Sequence, residues 1–115
     1  MTIKDSNITV NVKDLDKSIS FYKSIGLIEQ KRWDNHYAQL TAPGIVIGLH
    51  PTTYANLTGS SGNVSIGFTT DNFEETNAEL QKLSIKTEKR EEEGGRFLHF
   101  NDPDGTALYF IESKW

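Results

Sequence analysis

"NITVNVKDLDKSISFYKSIGL", residues 7–27, and "VSIGFTTDNFEETNAELQKLS", residues 64–84, are two versions of one pattern. Each opens on a short alternating apolar run, passes through Asp or Asn, and continues with apolar residues at helical spacing. An offset of 58 residues lays Leu15, Ser18, Tyr22 and Ile25 over Phe73, Thr76, Leu80 and Leu83. Residues so spaced share one face of a helix, so the offset predicts two helices of the same phase, each packing one face on a sheet. The segments after the helices repeat as well. The first helix is trailed by "IEQKRW" (28–33), "HYAQLTA" (36–42) and "IVIGLH" (45–50), the second by strands within "IKTEKREEE" (85–93), "GRFLHFND" (95–102) and "TALYFIE" (106–112). The order strand, helix, three strands therefore occurs twice, which predicts an α+β fold of two βαβββ modules.

Helix boundaries are written in the same residues. Asp14, and Asp71 or Asn72, are suited to accept hydrogen bonds from the first free N–H groups, with Glu74 or Glu75 at capping-box distance, and Gly26 ends the first helix. Between the copies, "PTTYANLTGSSGN" (51–63) is polar and rich in turn formers, as a connection should be. The expected organisation is one domain over 1–115 made of modules at about 5–51 and 63–113, with a linker at 52–62.

A chain of 115 residues has room for one core and no second domain. Hydrophobic residues make up 36% and aromatic ones 10%, with charged residues interleaved among them, a globular balance. No apolar run approaches the roughly 20 residues of a membrane span, and "MTIKDSNITV" lacks the basic-then-apolar layout of a signal peptide. A cytoplasmic protein is the expectation. There is no cysteine, which excludes disulfides, thiolate metal sites and thiol nucleophiles. A formal charge of −4 without a basic cluster argues against nucleic acid and against an anionic membrane surface. It fits a small-molecule binder and leans toward cationic ligands.

Two stretches resemble a known family. "NITVNVKDLDKSISFYKSIGL", with its Phe21–Tyr22 pair, is similar to the first strand and helix of the vicinal oxygen chelate superfamily, and "FNDPDGTALYFIE" (100–112) to its last hairpin. That superfamily holds glyoxalases, bleomycin-resistance proteins, fosfomycin-resistance enzymes and extradiol dioxygenases. "DPDG" alone carries little, because Asp, Pro and Gly suit any tight turn; joined to the helix motif and the repeat it carries more. The resemblance covers nearly the whole chain. It implies that each module is a curved mixed sheet, that the modules join edge to edge around a cavity, and that the protein is a homodimer, pairing also being a way to cover open sheet edges.

Metal-dependent members of the superfamily hold their ion on the opening and closing strands of both modules. The resemblance maps those places onto Asn7, Gly48, Ser65 and Tyr109. Imidazole and ionised carboxylate bind Zn, Mn or Fe through strong lone pairs; an asparagine carbonyl or protonated tyrosine is a poor substitute, and glycine has no side chain. No metal is expected there, and no other cofactor.

The same four places define the parity of the strands, and so the lining of the implied cavity. Ala107 and Ile111 share the parity of Tyr109, and Val46 and His50 that of Gly48. The matched hairpin turns Phe97 and His99 inward, and similarity to the fosfomycin-resistance enzymes adds Tyr37 and Gln39. With Asn7, Thr9, Ser65 and Gly67 these form a wall of aromatic, small and hydrogen-bonding groups, the composition of a site for a flat or apolar ligand with a few polar anchors. Gly48 and Gly67 are expected to leave space for that ligand. The competing reading is that Phe97, Tyr109 and Val46 fill a solid core. Of the histidines, His36 reads as a solvated turn residue, His50 as a residue at the cavity mouth, and His99 as the best candidate for chemistry, with no identifiable carboxylate to orient it. "KREEEGG" (89–95) reads as a solvated strand end, and Trp33 and Trp115 as dimer contacts or pocket edges.

Three functions are compatible with these residues. The leading one is a metal-free small-molecule binder resembling the bleomycin-resistance proteins that sequester a drug, its ligand an organic molecule, aromatic or cationic. The second is a lyase, isomerase or dioxygenase with a displaced metal, or with metal-free chemistry through His99 and Tyr109. The third is a structural or regulatory module whose cavity is filled by its own side chains.

Overall fold

Asp14 starts the first helix by accepting a hydrogen bond from Lys17 N–H at 3.1 Å, and Gly26 stops it. With φ at +112°, Gly26 lets the backbone turn left-handed so that Leu27 N–H reaches back to Tyr22 O at 3.0 Å. In the computed structural model, which describes residues 1–53, 62, 64–92 and 94–113, the chain divides into two units, Met1–Gly59 and Ser60–Trp115. Each holds one copy of the element order.

The first unit comprises β1 (Ile8–Val12), α1 (Leu15–Ser24), β2 (Ile28–Trp33), β3 (Tyr37–Ala42) and β4 (Ile45–Pro51). Its strands lie in the order β1-β4-β3-β2, β1 parallel to β4 and the other two pairings antiparallel. A meander of tight turns delivers β4 beside β1, and Gly44, with φ at +85°, makes the last of those turns. Alternation then sorts the side chains. Val10, Val12, Ala38, Leu40, Ile47 and Leu49 are buried together with Leu15, Ile19 and Tyr22 of α1, while Thr9, Tyr37, Gln39, Val46 and Gly48 have the opposite parity and face away from the helix.

The second unit repeats this with β5 (Ile66–Thr69), α2 (Phe73–Lys82), β6 (Glu88–Glu92), β7 (Gly95–Asn101) and β8 (Ala107–Ser113). Strand order is β5-β8-β7-β6, with β5 parallel to β8 and the remaining pairs antiparallel. Ile66, Leu98, Phe100 and Leu108 are buried with Phe73 and Leu80 of α2. Phe110 joins them through ring contacts with Phe68 at 5.5 Å and Phe100 at 5.8 Å. Two four-stranded mixed sheets, each covered on one face by a helix, are the α+β architecture that the repeat predicted.

The structure corrects several details. The opening strand of the second unit begins at Ile66 instead of Val64, and Val64 is exposed, so Ser65 and its counterpart Asn7 lie just outside their strands. The expected stripe is buried at Leu15, Ser18, Tyr22, Phe73 and Leu80, but its edges differ from the expectation. Ile19 and its equivalent Asn77 are buried, while Leu83 is 44% exposed, because the helices end at Ser24 and Lys82 before Ile25 and Leu83 can turn inward. Asn72, not Asp71, caps α2, accepting from Glu75 N–H at 3.0 Å. No capping box closes there, since Asn72 N–H donates to Thr70 Oγ1 at 3.2 Å. Most of the expected linker at 52–62, and Trp115, lie outside the described residues.

The "DPDG" hairpin is held by local bonds. Asp102, 5% exposed, accepts from Asp104 N–H at 2.9 Å and from Thr106 N–H at 2.8 Å through the same carboxylate oxygen. Gly105 takes φ at +95°. This turn places Tyr109 at a defined register against β5 and β7.

Candidate binding surface

In the second unit one row crosses the helix-free face. Gly67 stands opposite Tyr109, Tyr109 opposite His99, and His99 opposite Glu88. Phe97 lies two residues along β7 on the same face. Three half-buried rings meet here: Phe97 and His99 stack at 5.8 Å with 16° between planes, Phe97 and Tyr109 lie 5.8 Å apart, and His99 and Tyr109 5.7 Å apart. Alternation brings the rings to one face, and antiparallel register brings His99 against Tyr109. A cavity of about 290 Å³ opens beside His99, lined by Lys86, Thr87, Glu88, His99, Phe100, Asn101, Ala107 and Leu108.

The corresponding row of the first unit is Thr9, Gly48, Gln39 and Lys31. Gln39 Nε2 donates to the Tyr37 hydroxyl at 3.2 Å. Tyr37 packs on the half-exposed Trp33 at 5.5 Å, and Lys31 Nζ lies 5.9 Å from the Trp33 ring centroid. A register shift between Glu29 and Lys31 puts Lys31 and Trp33 on this face; without that bulge they would fall on the other.

Each row contains a glycine covered by a tyrosine. A Cβ added to Gly48 would stand 2.8 Å from Cε1 and Cζ of Tyr37, and one added to Gly67 would stand 2.5 Å from Cε2 of Tyr109. The space that these glycines were expected to leave for a ligand is taken by the two rings. Tyr37 and Tyr109 thus form the floor of their faces, and a ligand would lie on them and not beneath them.

The places that the superfamily uses for a metal do not make a donor set here. Asn7 and Ser65 are exposed and outside the strands, Asn7 Oδ1 accepts from Thr9 Oγ1 at 3.5 Å, Gly48 has no donor, and Tyr109 lies against Gly67. Among the described residues no three His, Cys, Asp or Glu side chains are grouped to hold a metal ion. The residues present do not fit the ion.

Of the other anticipated residues, Val46 is half-buried and His50 exposed, both of the same parity as Gly48. His36 is exposed in the turn before β3. Glu88 is a carboxylate facing His99 across the strands, a neighbour that sequence reading did not find. Its carboxylate is engaged by Arg90, whose Nε and terminal nitrogen each lie 3.1 Å from Glu88 Oε1. Lys86 and Asn101 were also missed. Asn101 was legible from the alternation that exposed His99, whereas Glu88 needed the pairing of β6 with β7 and Lys86 the path of the chain before β6.

The opposite face of the second sheet carries its strongest electrostatic feature. Glu112 accepts from Arg96 at 2.6 Å and from Phe73 N–H at the start of α2 at 3.0 Å. Arg96 also reaches Glu74 at 3.0 Å and lies 4.3 Å over the Phe73 ring. The bonds from Arg96 and then from Phe73 N–H hold the Glu112 carboxyl below the usual range, and the bond to Glu112 raises Arg96 further. This cluster fastens α2 to β7 and β8.

Residues 6–110 match the family profile described as the glyoxalase/bleomycin resistance protein/dioxygenase superfamily. No curated protein sequence matches the chain. Among solved structures it is similar to the fosfomycin resistance protein FosX of Listeria monocytogenes, at 21% identity over 99% of this chain and 96% of that one, with a TM-score of 0.81. It is also similar to TnmS3, an antibiotic binding protein from Streptomyces sp. CB03234, at 20% identity over 98% and 100% of the two chains, TM-score 0.76. A bleomycin resistance determinant encoded on transposon Tn5 superposes with a TM-score of 0.73 at 17% identity, over 98% and 100%. At these identities the likeness is one of fold. No helix among the described residues is long and apolar enough to cross a membrane.

Proposed function

Since the chain belongs to the glyoxalase/bleomycin resistance protein/dioxygenase superfamily, we propose that it is a binder of small organic molecules that works without a metal at the family's usual place. The observation that carries this reading is the group of Phe97, His99 and Tyr109, mutually within 5.8 Å on a helix-free sheet face. Half-buried rings on an open face offer stacking area at low entropic cost, and neighbouring polar groups orient what stacks on them. In the first unit Tyr37, Gln39, Thr9, Val46 and His50 form the corresponding binding surface, and Asn7 there and Ser65 in the second unit each supply a neutral polar contact to their own face. Sequestration of such a molecule is the activity, carried out in the cytoplasm by a homodimer whose two modules belong to one domain.

The test is a thermal-shift screen of aromatic drugs and simple aromatic compounds against the full chain, together with metal analysis after dialysis against Zn, Mn, Ni and Fe. Stabilisation by aromatic compounds, which follows from mass action on the folded state, with no stoichiometric metal, is the expected result. Stoichiometric metal lost on Tyr109→Ala would overturn the proposal.

A further inference from the structure

We propose that the helix-free face of the first unit takes a flat aromatic acid, its ring against Trp33 and Tyr37 and its carboxylate beside Lys31. The inference rests on the reading of the helix-free faces as binding surfaces for small organic molecules, and adds the chemical class of ligand that the first of them favours. The platform is built by the bulge in β2. Past it, Lys31 stands opposite Gln39 and Trp33 opposite Tyr37, so a cation and two rings share one face with Gly48 and Thr9. Trp33 is 50% exposed, and its ring lies 5.5 Å from that of Tyr37 with 36° between planes, an aromatic surface open to a stacked partner. The Tyr37 oxygen accepts from Gln39 at 3.2 Å, which leaves its own O–H to donate to a ligand.

Charge selects the anion. The acidic residue within β1 to β4 is Glu29; it stands opposite the buried Leu40, on the helix side, and lies 3.6 Å from Lys23 of α1. Asp14 caps α1, Asp16 pairs with Arg32 at 2.7 Å, and Asp5 and Asp34 lie outside the strands. Lys31 is exposed, its ammonium 5.9 Å from the Trp33 ring centroid, and it forms no ion pair or hydrogen bond among the described residues. The strands of this face thus present a lysine and, among the described residues, no acid to balance it. On the open face of the second unit β6 does the reverse: Glu88 and Glu92 flank Arg90, two acids against one base. Gln39 Oε1 and Thr9 Oγ1 admit a donor on the ligand as well, but being neutral they do not set the sign of its charge; Lys31 does, through a charge-assisted bond to carboxylate. The net charge of −4, which leans toward cations, belongs to the whole chain, and exposed charges beyond about 8 to 10 Å are screened at ordinary ionic strength.

Three probes with one ring separate the possibilities: benzoate, benzamide and benzylammonium, each titrated into the isotopically labelled full chain and followed by amide and indole N–H shifts in NMR. Benzoate should bind tightest and shift residues 31–33, 37–39 and the Trp33 indole. Lys31→Gln, at an exposed position that leaves folding intact, should weaken benzoate by roughly three- to tenfold, the size of one exposed charge-assisted bond, and leave benzamide unchanged. Lys89→Gln, which removes the same charge from the helix side of β6, should leave benzoate binding as it was. Preference for benzylammonium, benzoate binding indifferent to Lys31→Gln, or an equal loss in Lys89→Gln would overturn the anionic assignment. Shifts confined to Phe97, His99 and Tyr109 would overturn it too, while the aromatic surface of the second unit stood. Absence of shifts on both faces with all three probes would remove both readings.

Discussion

The ring of Tyr109 occupies the place where residue 67 would carry a side chain: a Cβ added to Gly67 would stand 2.5 Å from Tyr109 Cε2. Gly67 is opposite Tyr109 in the parallel pairing of β5 with β8, and its φ is not in the left-handed region, so the glycine is required by the ring and not by the backbone. Gly67→Ala should cost roughly 1 to 3 kcal/mol, the usual range for overpacking. In a Tyr109→Ala background the same substitution should cost almost nothing. Denaturant unfolding of the four proteins measures the coupling, and additive effects would show that the ring moves aside freely.

Tyr109→Ala should also weaken the binding of an aromatic ligand, by about 1 to 3 kcal/mol if the ring is an anchor. Tyr109→Phe keeps the stacking area and should retain most of the affinity. Calorimetric titration of the two variants separates the ring from the hydroxyl, and equal affinity in wild type and the alanine variant would remove Tyr109 from the site.

Ser18 is 1% exposed and its hydroxyl has no hydrogen-bond partner among the described residues. The equivalent Thr76 bonds Thr70 Oγ1 at 2.7 Å, but in the first unit the partner position holds Val12. Ser18→Ala should therefore be neutral or stabilising by up to about 1 kcal/mol, whereas Thr76→Ala should cost about 1 kcal/mol by removing the 2.7 Å hydrogen bond between the two hydroxyls. Thermal unfolding of both variants tests the asymmetry.

Gly26 and Ser84 end their helices in the left-handed region, Ser84 with φ at +60°. A side chain there carries a steric penalty that glycine avoids. Ser84→Gly should raise stability by about 0.5 to 1 kcal/mol, as cap optimisation commonly does, and a fall in melting temperature would contradict this.

Arg96 and the Phe73 N–H lower the Glu112 carboxyl below its ordinary value. A carboxyl so lowered in the folded state contributes stability that is present above the unfolded value, 4.5, and is lost as pH falls through the lower folded value. Glu112→Gln should melt lower at neutral pH and lose less on acidification below about pH 4.5. Parallel melting curves down to pH 3 would exclude the linkage. The raised Arg96 contributes at every accessible pH and adds no slope.

Both helices, the cap at Asp14, the choice of Asp71 or Asn72 for the second cap, the tight turn at Asp102 and the parity of Phe97, His99 and Tyr109 were legible in the sequence, and the physical reason is common to them. Each depends on residues within a few positions of one another, through helical spacing, strand alternation or a side chain bonding its own backbone. What only the tertiary structure decided depends on pairing between distant segments. Register set Tyr109 over Gly67, Tyr37 over Gly48 and Glu88 against His99; a shift of one residue would undo every one of these contacts, and no local rule specifies it. The bulge that turns Lys31 and Trp33 onto the open face, and the cavity that joins Lys86 to His99, exist because strands from separate stretches of chain stop and start where they do.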